Sequence, residues 1–436
     1  MSRRRAGETV YAPATGVGRF ALSVIRVSGP AAGEVAIALA SALPVPRRAA
    51  LRRLYDPRDG SEIDQAILLW FPAPRSATGE DLLEIQHHGG PAVREWLLDT
   101  LASFPGCRLA EPGEFARRAF LAGKLDLTAV EGLADLVDAQ TRAQARQALR
   151  QLDGRLADVF SAWRSQLLGA LARLEAEIDF GADGEEVPAA GLEQEVLALA
   201  SEMATHLADR RGERLREGLT IAVTGPPNVG KSSLVNVLAR REVALVSEYP
   251  GTTRDVIEVQ LEVAGVPVTL LDTAGLRETA DPVEALGIAR AKASAETADL
   301  ELRLFVAGTD APETAAGTLL VATKSDLAPA ASLPSSAVAV SAVTKAGLSE
   351  LLDRIEALVT PMAELASEPL ITRTRHRLAL NEAVNSLTAF TALPPGELAL
   401  RAEELRHAAQ AIARVTGSIG VEDVLDEIFA RFCLGK

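Results

Sequence analysis

A chain of 436 residues is too long for one compact core and points to two to four domains. Hydrophobic residues make up 48% and charged residues 24%, the make-up of an ordinary globular protein. The net charge of −14 argues against a surface that wraps nucleic acid by bulk basicity, so any RNA contact is expected to be local or shared with a partner. No stretch has the apolar length of a transmembrane helix, so no membrane association is expected. The basic start, Met1 to Arg5, runs into Gly7, Glu8 and Thr9 rather than the apolar core of a signal peptide. Two cysteines, Cys107 and Cys433, argue against a disulfide framework and leave the reducing cytoplasm as the expected compartment.

In chain order, residues 1–120 mix short apolar runs with turn signals. Phe20–Val27, Ile63–Phe71 and Leu82–Gln86 are predicted strands, and Pro91–Phe104 a predicted helix, which makes an α+β domain. From Leu127 to about Phe180 apolar residues recur at helical spacing, and a second amphipathic helical stretch runs from Leu192 to about Glu217. Leu219–Thr224, Val268–Leu271 and Leu319–Thr323 are short apolar strands separated by helical stretches, the pattern of a parallel sheet with helices on both faces. Between them, 298–310 carries Glu301 and Arg303 where a buried strand is expected. Residues 368–436 return to helix, broken at Pro394-Pro395-Gly396. The simplest architecture is multidomain: an α+β domain over 1–120, a helical domain split into 121–217 and 366–436, and an α/β domain over 218–365 inserted between its halves.

The strongest motif is Gly225-Pro-Pro-Asn-Val-Gly230-Lys231-Ser232, placed after the strand LTIAVT and before the helix SLVNVLAR. In that context it reads as a phosphate-binding loop. Its glycines let backbone amides converge on phosphate oxygens, and the helix N-terminus adds partial positive charge. Lys231 reaches the terminal phosphates and the Ser232 hydroxyl suits magnesium. Downstream, Gly251-Thr252-Thr253-Arg254-Asp255 offers a hydroxyl to the metal and the γ-phosphate. Asp272-Thr273-Ala274-Gly275 ends an apolar strand with a carboxylate for the metal's water shell and a glycine able to bind the γ-phosphate and move when it leaves. That order of motifs describes a nucleotide-triggered switch.

Thr323-Lys324-Ser325-Asp326 selects the base. An aspartate accepts the ring and exocyclic hydrogens that guanine offers and adenine does not. The Lys324 stem can cover the ring, and Ser341-Ala342 can present an amide to the guanine carbonyl. Related GTPases begin this segment with Asn, whereas Thr323 is shorter and supplies no amide. After DTAG, where Ras-like proteins carry a water-orienting glutamine, the chain has Leu276, which cannot polarise water. Glu278, Asp281 and Glu284 are the candidate carboxylates, and the residues alone do not choose among them.

Together GPPNVGKSS, GTTRD and DTAGLRET resemble the TrmE/Era-like branch of GTPases. VIRVSG at 24–29, EDLLEIQHHGG at 80–90, EPGEFARRAFLAGKLDL at 111–127 and the terminal FCLGK narrow the resemblance to the MnmE (TrmE) family over essentially the whole chain. The resemblance implies a folate-binding, dimerising N-terminal domain, a helical domain and a Ras-like G domain. It implies guanine-nucleotide contacts from Asn228, Val229, Gly230, Lys231, Ser232 and Ser233; from Ser247, Glu248, Tyr249, Pro250, Gly251, Thr252 and Thr253; from Asp272, Thr273, Ala274 and Gly275; and from Thr323, Lys324, Asp326, Ser341 and Ala342. Magnesium is expected on Ser232 and Thr253, and a potassium ion in place of an arginine finger on Asn228, Ser247, Tyr249 and Thr252. Glu284 is expected to position the attacking water. Arg26, Glu84, Lys124 and Lys436 match positions for a 5-formyl- or 5,10-methylene-tetrahydrofolate, and Cys433 matches a cysteine tied to the modification chemistry. The implied reaction is modification of the wobble uridine of certain tRNAs by a homodimer working with the flavin-containing subunit MnmG (GidA). Era-type regulation of ribosome assembly is the alternative, but it would call for a basic RNA-binding appendage. Asp326 and Ser341-Ala342 argue against a P-loop ATPase.

Overall fold

The computed structural model describes residues 7–16, 18–180, 191–240, 258–272, 298–313, 317–327, 334, 336–363, 371–419, 428, 429, 432 and 435. The chain divides into two units, one made of Met1–Ala134, Gln151–Gln166 and Ala409–Lys436, the other of Asp135–Arg150 and Leu167–Ala408. Among the described residues no helix is long and apolar enough to cross a membrane.

In the first unit, β1 (Thr9–Pro13), β2 (Leu22–Ser28), β3 (Ala50–Tyr55), β4 (Glu62–Phe71), β5 (Leu82–His88) and β6 (Cys107–Leu109) form one sheet ordered β3-β4-β5-β2-β1-β6. Neighbours run antiparallel except β1 with β6. Strand alternation sends Ile25, Val27, Leu68, Leu83 and Ile85 to one face, where they pack in a fully buried core with Val35 and Leu39 of α1 (Ala32–Ala40) and Leu97 and Leu101 of α2 (Pro91–Ala102). Pro91 opens α2 at a position where its missing N–H costs nothing. The same alternation leaves Arg26 and Glu84, directly paired across β2 and β5, on the opposite face. Beyond α3 (Glu114–Leu121), Asp126 caps α4 (Leu127–Asp138) by accepting from the amides of Thr128 at 2.7 Å and Ala129 at 3.0 Å. A second small core joins Ala116, Leu127 and Val130 to Phe429 and Phe432 near the C-terminus.

In the second unit, β7 (Leu219–Thr224), β8 (Glu258–Val263), β9 (Val266–Asp272), β10 (Leu300–Val306), β11 (Thr318–Thr323) and β12 (Ala337–Ala339) form a sheet ordered β12-β11-β10-β7-β9-β8. All pairs are parallel except the edge hairpin β8–β9, which departs from the purely parallel sheet expected. Apolar residues of α9 (Lys231–Ala239) and α10 (Leu348–Ala363), among them Leu234, Val235, Leu351 and Ile355, share a core with Ile221, Val223, Val268, Leu302 and Val321. Glu301 and Arg303, which sat oddly in the sequence, lie in a regular strand. The Glu301 carboxylate accepts from Arg303 at 2.9 Å and from the hydroxyls of Thr224 and Thr318, so the charges neutralise each other between the strands.

Several expected elements shift. The strand expected from Phe20 starts at Leu22; Phe20 is 45% exposed, and its amide donates to the Gly89 carbonyl at 3.2 Å. The helical stretch from Leu127 resolves into α4, α5 (Arg142–Leu152) and α6 (Arg155–Phe180), with Gly154 at φ 84° between the last two. The stretch from Leu192 divides into α7 (Leu192–Ala208) and α8 (Arg211–Glu217), where Asp209 accepts from the Arg211 amide at 2.9 Å and starts a new helix. After it come α11 (Thr374–Ala392) and α12 (Leu398–Thr416), separated at the expected Pro394-Pro395-Gly396 break.

Candidate functional site

The parallel strands of the second unit run side by side, and the sequence motifs sit at their carboxyl ends: Gly225 after β7, Asp272 at the end of β9, Thr323-Lys324 after β11 and Ser341 after β12. Open α/β sheets bind ligands at that edge. Registry aligns Asp272 with Val223, two residues before Gly225.

Gly225 begins the loop at φ 139°, and a Cβ there would lie 2.5 Å from the Leu304 carbonyl oxygen, so no larger residue fits. Asn228, exposed, takes a left-handed turn at φ 59°. Gly230, at φ 106°, caps α9, so Lys231, Ser232 and Ser233 form its first turn. The Lys231 side chain is buried, and its Nζ donates to the carbonyls of Gly225 at 2.7 Å and Pro226 at 3.0 Å. An ammonium carries three donors and is equipped to exchange those carbonyls for phosphate oxygens.

Thr323 does something the sequence did not suggest. It is buried, and its hydroxyl donates to the carbonyl of Val229, inside the phosphate loop, at 2.6 Å, with the Phe305 carbonyl at 3.1 Å. The segment expected to read the base is thereby tied to the loop between β7 and α9. Lys324 then turns at φ 55°, the Ser325 amide donates to the Val340 carbonyl at 3.2 Å, and Asp326 is exposed beyond it. Ser341 is fully buried: its amide donates to the Ala346 carbonyl at 3.0 Å and its hydroxyl accepts from the amides of Val343 and Thr344. Ser341 therefore shapes the turn that carries Ala342. Ser247, Glu248, Tyr249, Pro250, Gly251, Thr252, Thr253, Thr273, Ala274, Gly275, Leu276, Glu278, Asp281, Glu284, Cys433 and Lys436, together with the Asp272 side chain, lie outside the described residues.

In the first unit, Arg26 Nε donates to Glu84 Oε1 at 2.9 Å. Lys124 is exposed, and its stem passes 3.6 Å from where a Cβ on Gly79 would stand. Gly435, at φ 91°, leaves only 2.1 Å between a Cβ and the Pro13 carbonyl oxygen. Pro13 pairs with Ile25, so Gly435 lies against β1, the neighbour of the strand that bears Arg26. Nearby, Glu114 is a buried carboxylate. Burial alone would raise its pKa, but hydrogen bonds from Arg108, the Glu111 amide and Arg118 outweigh it and hold the group at about 2. The sequence carried no signal for this cluster, since arginines four and six residues from a glutamate are common on any surface.

A family model described as the MnmE helical domain matches residues 127–433, and one described as the GTP-binding protein TrmE N-terminus matches residues 9–124. The tRNA modification GTPase MnmE of Methylobacterium radiotolerans is 50% identical over 440 residues, covering 98% of this chain and 99% of that protein. The protein of the same name from Methylorubrum populi is 50% identical over 437 residues, covering 98% of each. The G domain of the T. maritima FeoB iron transporter is 26% identical and covers 31% of this chain and 96% of its own, at a TM-score of 0.22, too low a likeness to add to the strand order already described. On two family models that together span residues 9–433 and on half-identical relatives of matching length, the chain belongs to the tRNA modification GTPase MnmE family.

Proposed function

We propose that the chain hydrolyses GTP and couples that hydrolysis to modification of the wobble uridine of certain tRNAs. The observation that carries the nucleotide half of this reading is the tether from Thr323 to Val229, which joins a phosphate loop to a base-reading segment at one edge of the sheet. The loop amides and the α9 N-terminus suit a triphosphate, and the Lys231 ammonium is already inside the loop. The exposed Asp326 carboxylate can accept the paired hydrogens of guanine. Ser232, at the first turn of α9, and Asp272, at the end of the neighbouring strand, are hard oxygen donors of the kind magnesium takes. When bound, magnesium at Ser232 and Thr253, and potassium at Asn228, Ser247, the Tyr249 carbonyl and Thr252, supply positive charge against the phosphate oxygens. Glu284 orients the attacking water.

The N-terminal unit holds a tetrahydrofolate at Arg26, Glu84, Lys124 and Lys436. The approach of Gly435 to the strand beside Arg26 supports that grouping. Cys433 acts in the modification, two chains pair as a homodimer, and MnmG supplies the flavin. That partner also carries most of the tRNA electrostatics, in keeping with the charge of −14 on this chain. Turnover of GTP in potassium against sodium tests the cation role: hydrolysis should fall in sodium, and equal rates would remove it. Mass analysis of the wobble nucleoside in cells lacking the protein tests the rest, and an unchanged nucleoside would overturn it.

A further inference from the structure

The helix α5 has two unlike faces, and its inner face is fixed. Thr141 Oγ1 accepts from the Gln144 amide at 3.3 Å while Gln144 Oε1 accepts from the Thr141 amide at 3.2 Å, a reciprocal cap that sets where the helix begins. The side chains of Gln144 and Gln147 each donate at 3.0 Å to carbonyls of α8, those of Arg216 and Gly212. Ala143 packs against the core of the α/β sheet.

The outer face carries Arg142, Arg146 and Arg150, each four residues from the next. At about 1.5 Å per residue their stems rise in steps of about 6 Å along one side of the helix. Arg142 and Arg146 are exposed and Arg150 is half-buried. No acidic residue occurs between Asp138 and Asp153, in a chain with 59 acidic and 45 Lys and Arg residues. Among the described residues none of the three arginines makes an ion pair. Arginines elsewhere in the second unit behave otherwise: Arg173 pairs with Glu195, Arg214 with Asp299 and Arg406 with Glu175. Three unneutralised guanidinium groups in a row on a pinned helix make a local cationic strip on an acidic chain.

Resting on the tRNA reading given above, we infer that the outer face of α5 docks the sugar–phosphate backbone of the tRNA. A guanidinium binds phosphate oxygens through two parallel N–H bonds and keeps its charge at any working pH. The even spacing of the strip fits a polymer whose charges recur at one interval along a strand, whereas an acidic protein surface presents carboxylates at irregular ones. Backbone contacts of this kind fix orientation without reading sequence, so the strip seats tRNAs alike and does not choose among them. Three contacts are few beside the roughly six to ten of a strongly salt-dependent binder. That suits a chain of net charge −14 that shares the RNA with a partner.

Fluorescence anisotropy of a labelled tRNA with the full chain, across about 50–200 mM KCl, tests this. Each phosphate contact adds about 0.7–0.9 to the steepness of the log–log salt dependence, so three contacts weaken native binding roughly 20- to 40-fold over that range. The double variant Arg142→Gln with Arg146→Gln leaves one contact, and its binding should weaken only about threefold. Glutamine keeps the helix propensity, and GTP turnover at the native rate shows that the variant is folded. Arg142→Lys with Arg146→Lys keeps the charges and should keep the native salt dependence. A native salt dependence in the glutamine variant, or no tRNA binding by the native chain, would overturn the inference. So would native tRNA binding by that variant together with loss of wobble modification in cells, which would assign the face to a protein partner. An unchanged wobble nucleoside in cells lacking the protein would overturn the tRNA reading itself, and this inference with it.

Discussion

Replacing Thr323 by valine keeps the shape of the side chain and removes the hydroxyl. In the native chain that hydroxyl has one proton and two carbonyls within reach, and the shorter contact, 2.6 Å to Val229, takes it. Both Thr323 and Val229 are buried, so water cannot readily replace the lost donor. An unsatisfied buried carbonyl costs about 1–3 kcal/mol, and part of that cost relaxes by local opening of the phosphate loop. Nucleotide binding must then re-form the loop, so affinity for GDP falls by up to the same energy, tenfold for each ~1.4 kcal/mol. Titration with a fluorescent GDP reads the affinity, and amide exchange across 225–232 reads the opening. Thr323→Ser, which keeps the hydroxyl, should stay within about threefold of the native chain. If the valine variant binds GDP and protects its loop amides as the native chain does, the tether contributes nothing and the argument fails.

Gly225→Ala should abolish nucleotide binding or leave a chain that does not fold, because the new methyl would lie 2.5 Å from a main-chain oxygen; native-like GTP turnover would refute that geometry. Asp326→Asn should shift preference from guanine toward xanthine nucleotides, and unchanged selectivity in competition binding would assign base reading to another residue. The Glu114 carboxyl, held at about 2 against a usual 4.5, contributes stability that is fully present above pH 4.5 and is lost as pH falls toward 2. The contribution is at most about 3 kcal/mol. Acid unfolding of Glu114→Gln should lack that part of the pH dependence, and a profile parallel to the native one would refute the assignment.

Legibility from sequence followed the spacing of the groups concerned. The phosphate loop is contiguous, and a strand, a glycine turn and a helix are each local events, so residues 219–239 were readable without the fold. The Thr323–Val229 bond joins residues 94 apart, and from sequence alone Thr323 was only a shortened asparagine. Glu301 and Arg303 looked misplaced because one of the hydroxyls that settles them, on Thr224, lies 77 residues away. The three-residue β6 has too little sequence to show an alternation, and its parallel pairing with β1 gives it its place.

By itself the sequence laid out the chemistry available: a glycine loop suited to phosphate, an aspartate suited to a guanine edge, and motifs in the order of the family to which the chain belongs. Tertiary structure decided who stands next to whom. Parallel pairing brought four separated motifs to one sheet edge, and antiparallel registry set Arg26 opposite Glu84. The physical reason is that local conformation depends on near neighbours along the chain, whereas the pairing of buried polar groups depends on which distant strands share a sheet.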